Sequence, residues 1–468
     1  MATGRQEMSL LTLTPHPEPS QSPGGGPWAP LGGCSGSLGG LRGLRNPPRI
    51  PVSSPRASHS PPVPTTLIPP THMISEEGPL PIPAPDAGAF HLAQGVHYLN
   101  CAYMSPLLRG VEAAGIRGIR SKRAPHHIGP RDFFLDSNRV RGQFSRLIGA
   151  GDPSRIAILP SASYGVAVAA RNTGSVRGRN VVILKDQFPG NVYAWMRLTA
   201  EGGGELRMVE PPSGGVGSPG RGREWNHRLL EAVDGDTAVV SVAPVHWTDG
   251  TRFDLEAVGA RAREVGALFV VDGTQSVGAI PFDVGRIQPD ALICAAYKWL
   301  LGPYSMALGY FGPRFDGGVP LEEGWIARQG SEDFGGLVHY QEAYQPGALR
   351  YDVGERSNFI LLPMLDEALR HLLAWTPEEI ARACGRLTTP AVDDLLAMGF
   401  RVEEAEWREP HILGVGMPEG GSVHRLREAL EARNVQVSVR GESLRISPHV
   451  YNMPADMEAL LDALAGTR

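Results

Sequence analysis

Short, almost fully apolar runs alternate with helix-length segments through the middle of this chain, starting at Arg155. In chain order, the runs read RIAIL, NVVILKD, TAVVSVAP, ALFVVD, ALICAAYK and MALGYFG. Strands that are buried on both faces have such runs, and parallel strands need connections of helix length. The pattern therefore predicts an α/β fold built on a largely parallel sheet.

Two amphipathic helices are predicted before this central region, at 111–124 and 131–150. In the second segment, apolar residues recur at the spacing that brings them onto one face of a helix. The residues of this predicted buried face are Phe133, Val140, Phe144, Leu147 and Ile148.

The last part of the chain, from about Gly347, changes character. Three helical segments are followed by two short strands, VQVSVR and SLRISP, and by a final helix. This order is typical of a smaller α+β domain. We therefore predict an N-terminal segment with a large domain at 86–345 and a small C-terminal domain at 346–468.

The first 85 residues contain 19 of the chain's 42 prolines, together with runs such as GGG and PPVP. A segment of this composition buries too little apolar surface to offset the entropy that it loses on ordering. We predict that residues 1–85 are disordered. A transit peptide is the weaker alternative, because the prolines interrupt any amphipathic helix.

Composition narrows the function classes. The chain has 468 residues and a net charge of -5, so it lacks the basic excess that is typical of nucleic-acid-binding proteins. No apolar run approaches the roughly 20 residues that a membrane helix needs. The four cysteines are scattered and show no metal-ligand spacing, so we expect a cytoplasmic protein without a metal site.

Residues that could bind a ligand or take part in catalysis lie at the ends of the apolar runs. Ligands of an open parallel sheet bind at the carboxyl ends of its strands. Asp272 ends ALFVVD, and Lys298 ends ALICAAYK. A pyridoxal 5'-phosphate (PLP) enzyme requires such a pair, because the lysine forms a Schiff base and the acid keeps the pyridine nitrogen protonated. The alternative is an ion pair between Asp272 and Lys298 in an empty crevice.

Other strand ends supply groups that suit the same cofactor. Ser161 and Ser163 open a helix, where hydroxyls and free N–H groups favour a phosphate, although an ordinary serine N-cap is equally consistent. Phe188 could stack on a flat ring, although phenylalanines more often belong to the core. Gln275 could reach the ring oxygen. In a partly dry pocket the pKa of Lys298 should fall, which would make it a usable nucleophile.

The chain resembles the fold-type I PLP enzymes of aminotransferase class V, which include cysteine desulfurases and kynureninases. The segments that carry the resemblance are, in order, SAS, DQFPGNVYAW, VVDGTQSVGAIPFDV, AAYKWLLGP and LRISPHVYN. It covers roughly Val96 to the C-terminus. It implies a large domain with a mainly parallel seven-stranded sheet flanked by helices, a smaller α+β domain and a homodimer.

The resemblance implies roles around the cofactor. Lys298 would bind PLP and move a proton at the substrate's Cα, and Asp272 would pair with the pyridinium nitrogen. Phe188 would stack on the ring, and Trp247 stands where many relatives carry asparagine. The other residues expected around the ring and the phosphate are Gln275, Ala162, Ser163, Tyr297 and Ser161.

The resemblance also implies a substrate site. Arg445 matches the arginine that binds the substrate α-carboxylate, and a guanidinium suits this role because it can donate two parallel bonds. Asn100 and Ala102 would line the same pocket. The loop before Arg445 has no cysteine, which argues against persulfide chemistry. Arg356 or Ser357 would supply a phosphate contact to a partner subunit.

We therefore expect a PLP-dependent enzyme that acts on an amino acid or a related amine, with transamination as the leading reaction. A carbon–sulfur or carbon–carbon lyase on the same scaffold is the alternative. A non-catalytic PLP-fold binding protein is a third hypothesis, against which the intact Lys298 and Asp272 argue. A nicotinamide-dependent Rossmann enzyme is disfavoured, because no GxGxxG turn follows the first strand.

Overall fold

In the computed structural model of this protein, residues 87–418, 420–440 and 443–466 are described. The segment predicted to be disordered, 1–85, lies outside the described residues. The helices are α1 (Arg109–Ser121), α2 (Asp132–Leu147), α3 (Ala162–Arg171), α4 (Tyr193–Gly202), α5 (Arg221–Ala232), α6 (Leu255–Glu264), α7 (Val284–Ile287), α8 (Leu361–Trp375), α9 (Pro377–Ala397), α10 (Val423–Ala432) and α11 (Pro454–Ala465). The strands are β1 (His97–Tyr98), β2 (Ile156–Leu159), β3 (Asn180–Leu184), β4 (Glu205–Val209), β5 (Thr237–Val242), β6 (Leu268–Asp272), β7 (Ala291–Ala295), β8 (Ala307–Phe311), β9 (Arg401–Val402), β10 (Leu413–Gly416), β11 (Val435–Gln436), β12 (Ser438–Arg440) and β13 (Ser443–Ile446).

The large sheet has seven strands in the order β2-β8-β7-β6-β5-β3-β4. Neighbouring strands from β7 to β4 pair in parallel, whereas β8 runs antiparallel to both β2 and β7. Successive residues of β3 face two separate cores, with Val182 and Leu184 in one and Val181 and Ile183 in the other. The sheet is therefore buried on both faces, as its apolar runs require. The predicted α/β fold class is confirmed.

The edge strand β4 is absent from the predicted strands. Its sequence, ELRMV, contains two charged residues, and only Val209 is fully buried. An edge strand pairs on one side and borders solvent on the other, so it does not need a continuous apolar run. This is why the six apolar runs account for six of the seven strands.

The smaller sheet is antiparallel, with the order β12-β13-β10-β9. The predicted strands VQVSVR and SLRISP contain β11, β12 and β13, whereas β9 and β10 are not predicted. β9 has two residues, and β10 reads LGVG, so neither shows a strand pattern. A side chain at Gly414 would come within 2.0 Å of the Asp249 carbonyl oxygen, which explains the glycine in β10. The domain boundary predicted near residue 345 stays a prediction.

Both predicted N-terminal helices are present, but the buried face of α2 differs at one position. Phe133 is half-buried and contacts the rings of Trp325, Phe334 and Phe359, so its predicted burial is wrong. Phe134 occupies the core instead. The two adjacent phenylalanines are equally apolar, and the ring of the inward one, Phe134, lies 5.2 Å from the Arg356 guanidinium. The residues of the predicted face that are buried are Val140, Phe144, Leu147 and Ile148.

The parallel direction of β2, β3, β5, β6 and β7 brings their carboxyl ends to one edge of the large sheet. The loops after these strands are consequently neighbours, although they are far apart in the sequence. Within the described residues, no helix is both long enough and apolar enough to cross a membrane.

Candidate active site

The loops after β2, β3, β5, β6 and β7 enclose one cavity. Ser161, Asn100, Ala102 and Arg445 do not line this cavity. Of these, Ser161 precedes Ala162, and Ala102 and Arg445 are hydrogen-bonded to the lining residues Gln275 and Trp247. The structure thus gathers the residues predicted for the cofactor, while their individual roles stay predictions. The predicted residues in the cavity wall are Ala162, Ser163, Phe188, Trp247, Asp272, Gln275, Tyr297 and Lys298.

Lys298 lies in the turn between β7 and β8, three residues after Ala295. It is 6% exposed, and its Nζ lies 5.3 Å from the ring centre of Phe188 and 5.6 Å from that of Tyr297. Burial, together with the positive charge of Arg445, lowers the pKa of Lys298 from 10.5 to about 8. A neutral amine is the form that attacks a carbonyl, so this lysine is suited to nucleophilic chemistry.

Asp272 ends β6, the strand that pairs with β7. Its Oδ1 accepts the backbone N–H of Thr274 at 3.0 Å. Burial raises the pKa of Asp272, while Thr274 and the charge of Lys298 oppose this rise. Across the described ranges, no ion pair of 4.0 Å or less joins Asp272 to Lys298. The closed ion pair considered as an alternative is therefore not formed, and the carboxylate borders the cavity.

Phe188 and Trp247 form an aromatic wall. Phe188 is 41% exposed, so it is not a core residue. The two ring centres are 5.4 Å apart, and the rings are nearly perpendicular at 87°. The Trp247 indole N–H donates to the Asp186 carbonyl oxygen at 2.7 Å, which fixes the position of this wall.

Two serines at the start of α3, Ser161 and Ser163, have different surroundings. The Ser161 hydroxyl accepts the N–H of Tyr164 at 3.1 Å, so Ser161 is the N-cap of α3. In the part of the chain that the structure describes, neither the N–H groups of Ala162 and Ser163 nor the Ser163 hydroxyl has a hydrogen-bond partner. A side chain at Gly190 would come within 2.8 Å of the Ser163 Oγ, so this glycine keeps the space in front of the turn open.

Gln275 connects the cavity to the N-terminal segment. Its Nε2 donates to the Ala102 carbonyl oxygen at 3.1 Å, and its Oε1 accepts from the Trp299 indole at 2.9 Å. An amide nitrogen carries two hydrogens, so one N–H of Gln275 remains for a ligand. Asn100 lies nearby, where its Oδ1 accepts the Ser438 hydroxyl at 2.9 Å.

Arg445 is 1% exposed on β13. Its Nη1 donates to the Trp247 carbonyl oxygen at 2.6 Å and its Nη2 to the Ser438 hydroxyl at 3.2 Å. Burial, reinforced by the charge of Arg440, lowers the pKa of Arg445 to about 9. No carboxylate of the described chain lies within 4.0 Å of it. A buried guanidinium without an anion is costly, so the site suits a carboxylate that arrives with a ligand.

Arg356 and Ser357, expected to contact a partner subunit's phosphate, are bonded inside their own chain. Arg356 is 1% exposed, and the carboxylate of Asp352 accepts bonds from it and from Arg141. The Ser357 hydroxyl donates to the Phe133 carbonyl oxygen. Arg356 in particular holds an internal carboxylate, which leaves it poorly suited to the expected contact.

Cysteine side chains do not supply a nucleophile to the described part of this site. Cys101, Cys294 and Cys384 are buried, and burial raises the pKa of each thiol. A buried thiol with a raised pKa is a poor nucleophile. Among the residues with described positions, no cluster of histidine, cysteine or acidic side chains could hold a metal ion.

Comparison with known proteins connects this geometry to a family. The sequence matches aminotransferase class-V over residues 122–460, about 72% of the chain. The chain belongs to the aminotransferase class-V family. An uncharacterized aminotransferase, YcbU of Bacillus subtilis, is 26% identical over 328 residues, which cover 70% of this chain and 82% of the relative. Kynureninase of Pseudomonas fluorescens is 29% identical over 259 residues, which cover 52% of this chain and 58% of the relative.

A solved structure supports the same class-V assignment at the level of fold. A mutant of C-DES, a cystine C–S lyase, was solved with glycine covalently linked to its PLP cofactor. It aligns with this chain at a TM-score of 0.71 and 16% identity, covering 82% of this chain and 100% of C-DES. The resemblance recognised in the sequence is thereby confirmed, as is the fold-type I architecture.

Three features of this class-V site were not predicted. Thr274 ties β6 and β7 together, since its N–H donates to Asp272 and its Oγ1 accepts the Ala295 N–H at 3.1 Å. Ser438 links Asn100 to Arg445, and Arg440 lies 5.4 Å from the Trp247 ring centre. Thr274 lies inside the DGTQS segment that carries the resemblance, whereas the roles of Ser438 and Arg440 depend on how β12 pairs with β13.

Proposed function

We propose that this chain is a PLP-dependent enzyme that cleaves an amino acid in a carbon–sulfur or carbon–carbon lyase reaction. The observation that carries the cofactor assignment is the buried Lys298, whose pKa falls to about 8 at a strand end next to that of Asp272. The relatives favour the lyase reaction over the transamination that we expected first, because they include a kynureninase and a cystine C–S lyase.

The groups around the cavity fit PLP. The open N–H groups and hydroxyl at the start of α3 suit a phosphate, which the positive end of the helix dipole also favours. Gly190 leaves room beside Ser163 for that group. Phe188 offers an aromatic face, and Asp272 offers a carboxylate for the ring nitrogen. Tyr297 and Gln275 contribute further polar groups at the rim of the cavity.

PLP, when bound, withdraws electrons from the substrate's Cα and so weakens the bonds to that carbon. Lys298 would hold the cofactor through its amine and, once displaced by substrate, would take the proton from Cα as a general base. Its lowered pKa suits this task, since an effective base has a pKa near the working pH. Asp272 would keep the ring nitrogen protonated.

Arg445 would fix the substrate through its α-carboxylate. Its two bonds to the Trp247 carbonyl and the Ser438 hydroxyl hold the guanidinium in one position before any ligand arrives. A preorganised donor loses little conformational entropy on binding, which favours one orientation of the Cα bonds relative to Lys298.

Transamination is the second candidate, and the name of the Bacillus subtilis relative favours it. The two reactions differ in their products. A lyase releases the cleaved side chain, with pyruvate or ammonia where the substrate supplies them, whereas transamination yields a keto acid and pyridoxamine phosphate. The homodimer and the cytoplasmic location expected from the sequence stay predictions.

A spectral titration of the purified full chain tests the proposal. We expect PLP to give a protein-bound absorbance band that changes when amino acids are added, with lyase products in solution. Lys298→Ala should lose the band, whereas Lys122→Ala, which alters an exposed lysine, should keep it. Identical spectra for the unmodified chain and Lys298→Ala would overturn the cofactor assignment. Pyridoxamine phosphate without cleavage products would favour transamination.

A further inference from the structure

The hairpin formed by β12 and β13 presents two arginines on one face. Ser438 lies opposite Arg445 in the pairing register, and Arg440 lies opposite Ser443. Side chains alternate along a strand, so Ser438 and Arg440 project to the same side, about 7 Å apart. The Ser438 hydroxyl accepts a bond from Arg445, which places the Arg445 guanidinium on that side as well.

Neither arginine has an acidic partner within 4.0 Å in the described ranges, which do not include Glu442, between β12 and β13 in the sequence. The Nε of Arg440 and the Nε of Arg445 are both buried without a hydrogen bond. The Arg440 guanidinium donates to the Val439 carbonyl oxygen at 3.3 Å and lies 5.4 Å from the ring centre of Trp247. Two neighbouring cations without an anion repel each other, which costs free energy until an anion binds.

The charges around the catalytic lysine are unbalanced. The positive charges of Arg445 and Arg440 both lower the pKa of Lys298, whereas the carboxylate of Asp272 raises it. An amino acid's α-carboxylate neutralises one of the two arginines. The open donors for a phosphate lie at the start of α3, on a different element from the hairpin. Among the described residues, one arginine therefore has no counter-charge when a simple amino acid binds.

We propose that Arg440 binds an anionic group on the substrate's side chain, so that the substrate is an amino acid with an acidic side chain. A carboxylate or a sulfur oxyanion, a few bonds from the α-carboxylate, has the required charge and reach. This inference rests on the proposed function, because it assigns the α-carboxylate to Arg445. Trp247 contributes by holding Arg440 over its ring and Arg445 at its carbonyl oxygen.

Calorimetric binding of two unreactive probes to the PLP-loaded full chain tests the inference. Succinate has two carboxylates, and succinamate replaces one of them with an amide of similar shape. We expect succinate to bind at least about tenfold more tightly, the effect of one charge-assisted hydrogen bond. Arg440→Gln should abolish this difference, whereas Arg445→Gln should weaken both probes. Arg433→Gln, which changes an exposed arginine outside the site, is the matched control.

Equal binding of the two probes, or an unchanged difference in Arg440→Gln, would overturn the inference. Arg440→Lys keeps the positive charge and should retain part of the preference for succinate over succinamate. If the urea midpoint shows that Arg440→Gln is misfolded, the Arg440→Lys variant decides the test. The spectral titration separates this test from the proposed function. If alanine changes the cofactor spectrum but acidic ligands bind no better, the Arg440 inference alone fails; if no amino acid changes the spectrum, the proposed function fails.

Discussion

Two pairs of arginines in this molecule have opposite surroundings. Arg141 and Arg356 share the carboxylate of Asp352, with 2.6 Å between the Arg141 Nη2 and the Asp352 Oδ2. Arg440 and Arg445 share no carboxylate in the described part of the chain. Arg445 and Arg356 are equally buried, at 1% exposure each. The presence of an internal anion, and not the degree of burial, therefore separates Arg356 from Arg445.

The two pairs also differ in what their surroundings can do. Asp352 uses its second oxygen to accept the Ile158 N–H at 2.8 Å, so its carboxylate ties the first pair to strand β2. Arg445 is held by neutral oxygen acceptors, which orient a guanidinium without cancelling its charge. A paired buried arginine supports the fold, whereas an oriented but unneutralised one is ready for a ligand.

The largest expected effect follows from removing the internal anion. Asp352→Asn leaves two buried guanidiniums without a counter-charge, so we expect the free energy of unfolding to fall by about 3–5 kcal/mol. Urea denaturation of the full chain measures this loss. The matched variant is Arg445→Gln, which removes a charge that has no acidic partner among the described residues and should change the free energy of unfolding by less than about 1 kcal/mol.

Equal losses of stability in Asp352→Asn and Arg445→Gln would contradict the comparison, since both arginine pairs would then be structural. If Arg445→Gln is the more damaging variant, Arg445 has a partner that supports the fold. The expected order therefore depends on Arg445 having no carboxylate beside it in the described part of the chain.

A second prediction concerns the effect of the Arg445 charge on Lys298. The pKa of Lys298 is lowered to about 8, first by burial and then by Arg445. The neutral amine is the reactive form, so the rate at which Lys298 reacts with PLP should rise with pH and level off above about 8. Removing the positive charge in Arg445→Gln favours protonation of Lys298, so the midpoint should move to higher pH.

Stopped-flow measurement of PLP uptake across a pH series checks this shift. Arg433→Gln serves as the control, because its exposed charge lies outside the site and should leave the midpoint unchanged. A midpoint that stays in place in Arg445→Gln would show that the charge of Arg445 does not help to lower the pKa of Lys298. That result would remove the electrostatic link between the hairpin and the large sheet.

The strand ends of the large sheet could be predicted from the sequence better than the hairpin of β12 and β13. Asp272, Lys298 and Phe188 were predictable because each follows a long apolar run, and parallel strands place such ends together. The role of Arg440 was not, because it depends on the pairing register of β12 with β13 and on the lack of an acidic partner among the described residues. Neither fact is local in sequence. The short strands β9 and β10 were not predicted for the same reason, because their packing and not their sequence pattern defines them.

The two serines at the start of α3 repeat the arginine comparison on a smaller scale. Ser161 has an internal partner, the Tyr164 N–H, whereas the Ser163 hydroxyl has none in the described structure and lines the cavity. Ser161→Ala should therefore lower the free energy of unfolding by about 1 kcal/mol, the cost of losing an N-cap, with the smaller effect on PLP affinity. Ser163→Ala should leave stability nearly unchanged and weaken PLP binding by about tenfold, the loss of one hydrogen bond to a charged group. Urea denaturation and equilibrium dialysis of PLP on both variants measure the two effects. If Ser161→Ala instead weakened PLP binding more than Ser163→Ala, the phosphate would lie at the helix cap. A side chain with an internal partner could then still bind a ligand.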